Sequence, residues 1–325
     1  MRHNVKVTFG KILKLMVGVS PKKALSFSEG NTAAWKKLET AVLAAIEGYH
    51  LTLDDSRLEV LVPRLEAIDA ELRGYAFEGA AMGLTGIDML MPWKHRLQAY
   101  LNGAGSAHIY MVHIGIGEAL ALLRLRPEPF IMRLDPVLRW LALDGYGFHK
   151  GFFNPRRYVE RQIVPGLLSP YARRIFDQGI GRAIWFLNGA NVERVVCQIA
   201  RFPEARRADL WSGIGVACAY AGGAGRTGIQ TLQCRAGTYA PYLAVGAAVV
   251  AKGRQRAGNP APHSDLACAV LCGTSSTTAA RIVEVAFQEL PLAGPKPAFA
   301  ILQQRLLDQF ILLGGLDSAQ TEVLP

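Results

Sequence analysis

This sequence predicts an all-α fold, and three observations carry the prediction. Apolar residues recur at helical spacing through most of the chain, and few segments alternate with a strand's period of two. Helix-start chemistry punctuates the pattern, as at Ser169-Pro170, an N-cap followed by proline at the first helical position. Glycines sit in pairs inside the apparent helices: Gly115 and Gly117, Gly179 and Gly181, Gly213 and Gly215. The expected architecture is a helical bundle or array with two pseudo-equivalent halves around an apolar, glycine-rich interior.

The first helix is expected over 36–48, with Leu38, Val42, Ala45 and Ile46 on one face. Asp54-Asp55-Ser56 reads as the start of a second, through Leu58, Val60, Leu61, Leu65 and Ile68, which Pro63 bends or restarts. The pattern runs on through Leu72, Ala76 and Ala80 to Met91, and Pro92 stops it. Helices over 107–124 and 136–153 follow, the latter interrupted near Asp144-Gly145. Segments 170–188, 191–201, 205–221, 238–252, 264–272, 275–290 and 297–312 complete the set. Residues 254–263 are the clearest loop, and the tail after Gly314 is expected to fray. Each interior glycine costs a helix about 1 kcal/mol against alanine. Close approach of two helix backbones is the expected reason, and clearance for a ligand is the alternative.

Blocks of sequence recur in order. Phe77-Glu78-Gly79 returns as Phe176-Asp177-Gln178, and Gly115-Ile-Gly-Glu-Ala119 as Gly213-Ile-Gly-Val-Ala217. Trp140-Leu-Ala-Leu143 returns as Tyr242-Leu-Ala-Val245, and Lys150-Gly151 as Lys252-Gly253. The expectation is one domain over 1–325 made of two repeats, about 54–153 and 154–253, with a helical extension over 264–313.

Half of the 325 residues are apolar and 19% are charged, ample for a sizeable core. Net charge is +10, but the basic residues are scattered in pairs: Lys22-Lys23, Lys36-Lys37, Arg156-Arg157, Arg173-Arg174, Arg206-Arg207. No dense basic run or nucleic-acid motif stands out, so nucleic-acid binding is not expected. The five cysteines (Cys197, Cys218, Cys234, Cys268, Cys272) form no metal-type pair and read as small buried hydrophobes in a reduced compartment. Lys11 and Lys14 interrupt the apolar start, and no small-residue cleavage site follows, so no signal peptide is expected. No apolar run approaches the ~18 residues of a membrane helix. The expected location is cytoplasmic, with no transmembrane segment; an amphipathic start of this kind also suits a membrane surface.

Comparing the repeats suggests where chemistry lies. Glu78 aligns with Asp177, a carboxylate kept in both, suited to acid–base work or to satisfying an arginine such as Arg182 or Arg73. His113 aligns with Trp211, Glu118 with Val216, Asp144 with Gly246 and His149 with Ala251. The first half thus carries polar groups where the second does not. On a continuous helix Asp144 and His149 point about 140° apart; only a helix beginning at Gly145 lets them meet. His263-Ser264-Asp265 reads as a loop-to-helix junction with Ser264 as N-cap. No di-iron, zincin, nucleophile-elbow, P-loop or prenyl-diphosphate metal motif occurs, so no cofactor or metal site is assigned.

Several motifs run in order: Leu15-Met-Val-Gly-Val-Ser-Pro21, Phe77-Glu-Gly-Ala-Ala-Met82, Asp144-Gly-Tyr-Gly-Phe-His149 and Phe176-Asp-Gln-Gly-Ile-Gly-Arg182. Leu210-Trp-Ser-Gly-Ile-Gly215, Ala219-Tyr-Ala-Gly-Gly223 and His263-Ser-Asp-Leu-Ala-Cys268 follow. Together they resemble the bacterial family called domain of unknown function 1702, over nearly the whole chain. The resemblance implies enediyne and other natural-product gene clusters, often beside an FG-GAP repeat protein of the UnbV kind. It implies a role in maturing a polyunsaturated or isoprenoid-like chain.

The resulting expectation is an enzyme that cyclises or isomerises a hydrophobic polyene or terpenoid in an apolar cavity. Asp144, His149, Glu78, Asp177 and His113 would supply acid–base groups. Trp140, Tyr146, Phe148, Trp185 and Trp211 would line the cavity and face developing cation. A non-catalytic carrier or scaffold is the first alternative, and a metal-dependent oxidative enzyme using His113 and His149 the second. An acidic carrier protein is a further candidate partner for the basic excess.

Overall fold

The structure is a computed structural model, describing residues 19–321, with side chains to residue 313. The amphipathic start and most of the Leu15–Pro21 motif lie outside the described residues. Among the described residues the fold is all-helical, with no strand. Seven buried helices form its frame: α1 (Ala33–Asp54), α2 (Ala70–Leu90), α3 (Ile109–Leu122), α4 (Leu141–Phe153), α5 (Pro170–Leu187), α6 (Glu204–Ala221) and α7 (Ala240–Ala257).

Local chemistry sets many of their ends. Thr32 caps α1 through the Trp35 N–H, Asp69 caps α2 through the Glu71 N–H, and Ser169 caps α5 through the Ala172 N–H, with Pro170 next. Gly258, at φ 63°, closes α7 in the left-handed conformation that glycine adopts freely. Between the frame helices run short connectors. Leu58–Glu66, Val192–Ala200 and Arg226–Ala236 are amphipathic, burying Leu61 and Leu65, Val195 and Ile199, Ile229 and Leu232 respectively. Helices α2 to α7 instead bury half or more of their residues, α3 leaving only Glu118 and Leu122 partly exposed, while α1, at the end of the row, exposes Lys36, Thr40, Leu43 and Glu47. The connectors therefore form the outer layer.

Each frame helix packs on the next in chain order. Glycine makes that packing possible. A Cβ on Gly117 of α3 would lie 1.8 Å from the Ala142 carbonyl oxygen of α4, and one on Gly145 of α4 would lie 2.0 Å from that of Ile114. The pairs Gly147 and Gly179, Gly181 and Gly213, and Gly215 and Gly246 repeat the arrangement at the next three interfaces. Glycines two apart on a helix point about 200° apart. One therefore faces the preceding helix and the other the following one. Neighbouring helices also run in the same sense. Gly147 meets Phe176 while Gly151, one turn on, meets Ala183, and Gly48 meets Ala76 while Thr52 meets Gly83.

The row curls until its ends meet. Tyr75 of α2 stands edge-on to Tyr220 of α6 with ring centroids 5.0 Å apart, and Arg182 of α5 reaches Glu78 of α2. Arg254 of α7 donates to the Glu71 carbonyl of α2, and its guanidinium lies 4.1 Å over the Tyr220 ring. The closed arrangement has an axis onto which all the frame helices can face.

The structure revises several expectations. The glycine packing recurs with each helix, from Gly115 to Gly145, Gly179, Gly213 and Gly246, in steps of 30 to 34 residues. The offset of about a hundred residues spans three such steps, and the packing does not divide the array into two halves. Helix α4 is uninterrupted at Asp144-Gly145, and α7 runs to Ala257, shortening the loop expected over 254–263. The last helix continues to Thr321 rather than fraying after Gly314. Cys218, Cys268 and Cys272 are buried as expected, but Cys197 and Cys234 are exposed on the amphipathic connectors. No single described helix is long and apolar enough to cross a membrane.

Candidate functional site

The glycine frame decides which side chains reach the axis. In each x-Gly-x-Gly-x stretch, and in Glu78-Gly-Ala-Ala-Met82 where Ala81 takes the place of the second glycine, the two small residues face the neighbouring helices. The residue between them then points outward, and the two flanking residues, four apart, point inward together. The inward pairs are Glu78 and Met82, Ile114 and Glu118, Asp144 and Phe148, Gln178 and Arg182, and Ser212 and Val216. Nine of these ten line two cavities on the axis, and the tenth, Ser212, joins the hydrogen-bonded cluster between them.

The cluster is polar, and Arg182 is at its centre. Its guanidinium pairs closely with Asp144, lies 3.9 Å from Glu78 and stacks 4.6 Å from the centre of the Phe148 ring. Gln178 Nε2 donates to Asp144 at 2.7 Å, and Ser212 Oγ and Gln303 Nε2 donate to Gln178 Oε1 at 3.3 and 3.1 Å. Burial opposes the charge of Arg182, but Asp144 and Glu78 outweigh it and hold the guanidinium protonated.

Glu78 and Glu118 form a carboxyl pair beside Arg182. Burial pushes both above the usual carboxylate range; for Glu118 the neighbouring Glu78 adds to the rise, while Arg182 opposes it. Glu78 Oε2 is buried without a donor. Two ionised carboxylates cannot donate to each other, so one proton held between them supplies the missing hydrogen bond. The pair thus offers an acid and a base at one place. It opens on a cavity of about 60 Å³ lined by Glu78, Glu118, Arg182 and by Tyr75, Phe148, Phe152 and Phe186 among others. Beyond Arg182 lies a second apolar cavity of about 40 Å³, which Asp144, Gln178 and Tyr220 help to line. The polar cluster therefore divides an otherwise apolar axis.

Of the sequence-predicted residues, the structure brings together Glu78, Asp144 and Phe148. The others lie elsewhere for reasons of helical geometry. Asp177 is not the counterpart of Glu78; Gln178 is, because Gly179 matches Gly79, and the sequence alignment was one residue out. Asp177 points outward and pairs with Arg206 at 2.5 Å. His113 occupies the same outward position on α3, with Nδ1 2.8 Å from the Ile109 carbonyl, and burial lowers its pKa. Because α4 is continuous, His149 faces away from Asp144 and lines a separate, basic pocket.

Among the expected lining aromatics, Tyr146 lies between its two glycines and points outward, 5.2 Å from Lys150 Nζ. Trp185 donates its indole N–H to the Gly222 carbonyl at 2.9 Å, and Trp140 stands edge-on to Tyr171. Trp211 is core, at the outward position that His113 and Asp177 share. None of the four lines either axial cavity. Phe152, Phe186 and Tyr75 take that place. Ser264 is not an N-cap: its helix begins at Pro262, and its buried hydroxyl donates to the Ala219 carbonyl at 2.6 Å. Among the described residues no three His, Cys, Asp or Glu side chains converge as a metal site requires.

Sequence reasoning named Glu118 and Arg182 but did not place them at the site. The signal was present: each follows the second glycine of a Gly-x-Gly pair.

Fold and site together define an all-α array of glycine-spaced parallel helices around a carboxyl pair, Glu78 buried and Glu118 nearly so. The chain belongs to the family described as "Protein of unknown function (DUF1702)", whose family model matches residues 10–310. No curated protein and no solved structure matches it.

Proposed function

We propose that this protein is an enzyme of bacterial specialised metabolism that isomerises or cyclises a hydrophobic polyene or terpenoid chain by proton transfer at Glu78 and Glu118. The observation that carries this reading is the carboxyl pair opening on an aromatic, water-poor cavity. The protonated member donates to one carbon of a double bond, and the ionised member accepts a proton from another carbon, so no net proton is consumed. The faces of Phe152 and Phe186 stabilise the cation that forms between the two events. Arg182 and Asp144 are positioning residues: they fix the pair and hold its charge to a single shared proton.

The cavity has room for only a few water molecules at this size. A chain therefore needs lining side chains such as Phe152 and Phe186 to move apart as it enters. The test is replacement of Glu118 by Gln, and separately of Glu78 by Gln, in the producing bacterium, with extraction and mass spectrometry of its hydrophobic metabolites. Loss of the product with accumulation of an isomeric precursor is expected. An unchanged metabolite profile in both variants would overturn acid–base chemistry here and favour a carrier that binds the chain without turnover.

A further inference from the structure

Beside the carboxyl-pair cavity lies a pocket of about 610 Å³ lined by Lys23, Arg124, Lys150, Arg157 and His149, with Asn154 and Tyr158. Its four cations come from four separate stretches of chain. Lys23 lies in the short helix Pro21–Ala24, Arg124 just after α3, Lys150 on α4 and Arg157 in the π-helical turn Arg156–Glu160. No carboxylate lines this pocket, and among the described residues none of the four cations makes an ion pair. Lys150 Nζ is held at 3.0 Å by the Ala121 carbonyl, so it is fixed at the wall rather than swinging in solvent. Arg124 takes a left-handed backbone conformation, φ 58°, that non-glycine residues seldom adopt. His149 is buried, lines the same pocket and has no partner for Nδ1.

We infer that this pocket binds the phosphorylated end of the hydrophobic substrate, a phosphate or diphosphate monoester. Charge selects this class. Four uncompensated cations exceed what a single carboxylate can neutralise, whereas a diphosphate carries several charges and many acceptor oxygens. The buried His149 ring, held neutral by its surroundings, offers one N–H to an oxygen of the same group.

Position ties the pocket to the cavity. Val19 and Phe153 line both, and Phe148 and Phe152 continue along α4 from that shared wall. From Phe153 to Phe148 the helix rises about 8 Å at ~1.5 Å per residue. A chain anchored by its phosphorylated end therefore presents carbons a short way from that end to Glu78 and Glu118. This inference rests on the proposed function for its hydrophobic tail but not for its anionic head.

The test is calorimetric binding at low salt of three probes: inorganic pyrophosphate, dodecyl phosphate and dodecanoate. Pyrophosphate should bind, and dodecyl phosphate should bind tighter than dodecanoate. Replacing Arg124 or Arg157, both exposed and with no side-chain hydrogen bond among the described residues, by Gln should weaken both phosphorylated probes by about tenfold each, or about 1.4 kcal/mol. Failure of pyrophosphate to bind at millimolar concentration, or affinities unchanged in both variants, would overturn the inference. Pyrophosphate binding that depends on Arg124 and Arg157, with no gain from the dodecyl tail, would uphold the anionic site and sink the chain-binding reading instead.

Discussion

Alanine at Gly117 and alanine at Gly86 should change stability in opposite directions. Both glycines lie inside helices, where alanine is intrinsically favoured by about 0.8–1 kcal/mol. At Gly86 a Cβ meets nothing within 4 Å, so Gly86→Ala should stabilise the fold by about that propensity difference. At Gly117 the new Cβ would lie 1.8 Å from the Ala142 carbonyl oxygen and 2.8 Å from the Tyr146 nitrogen. The obstacle is backbone, so no side chain can turn aside. Helices α3 and α4 must separate by an ångström or more, opening gaps on both sides of the contact. Overpacking of this kind costs about 1–3 kcal/mol and sometimes more. After the propensity gain is subtracted, Gly117→Ala should still destabilise by about 2 kcal/mol, against the upper part of that range. Urea unfolding of the two variants beside the parent measures the difference directly. If Gly117→Ala proved as stable as Gly86→Ala, the glycines would not be holding the backbones together, and the frame described for the axis would be wrong.

Four further outcomes follow. Glu118 binds a proton in the folded protein that the unfolded chain releases above its ordinary pKa near 4.5. Stability should therefore fall as pH rises from there through the raised value, and Glu118→Gln should remove that loss, its melting-temperature advantage growing from pH 5 to pH 8. Arg182→Met leaves Asp144 and Glu78 buried without their cation and should cost about 3–5 kcal/mol, measured by chemical denaturation. Asp177→Asn should reduce stability through the loss of the Arg206 pair yet leave the metabolite profile intact, since Asp177 faces away from the axis. Cys197 and Cys234 should react with a thiol reagent in the native protein, whereas Cys218, Cys268 and Cys272 should react only on unfolding, as mass spectrometry would record.

Much of the fold was legible because helix spacing, caps and prolines act locally. Ser169-Pro170 marked the start of α5 without any knowledge of its neighbours. The connector Arg226–Ala236 escaped notice because it buries only one narrow face. The site was half legible. Glu78, Asp144 and Phe148 stood out as polar or aromatic residues beside glycine. Glu118 and Arg182 were seen but assigned lesser parts, because the meaning of a Gly-x-Gly pair depends on having a helix on each side. Asp177 was chosen through an alignment one residue out and the tryptophans for their chemistry, and chemistry does not say which way a helix face points. The basic pocket was not legible, since Lys23, Arg124, Lys150 and Arg157 come from separate stretches brought together only in the folded chain.

Backbone-to-backbone packing has a consequence for how such a protein diversifies. Successive helices here are fastened to each other through glycine and carbonyl oxygen, so apart from the Arg182 cluster the side chains aimed at the axis carry little of the work of holding one helix to the next. Frame and lining are then nearly independent variables. Residues at the inward positions can be exchanged, lengthening a channel here or relocating an acid there, while the walls stay where they are. Relatives that act on different molecules should therefore keep the glycines and vary their flanking residues, and the identities at those ten inward positions become a readable signature of what each one handles.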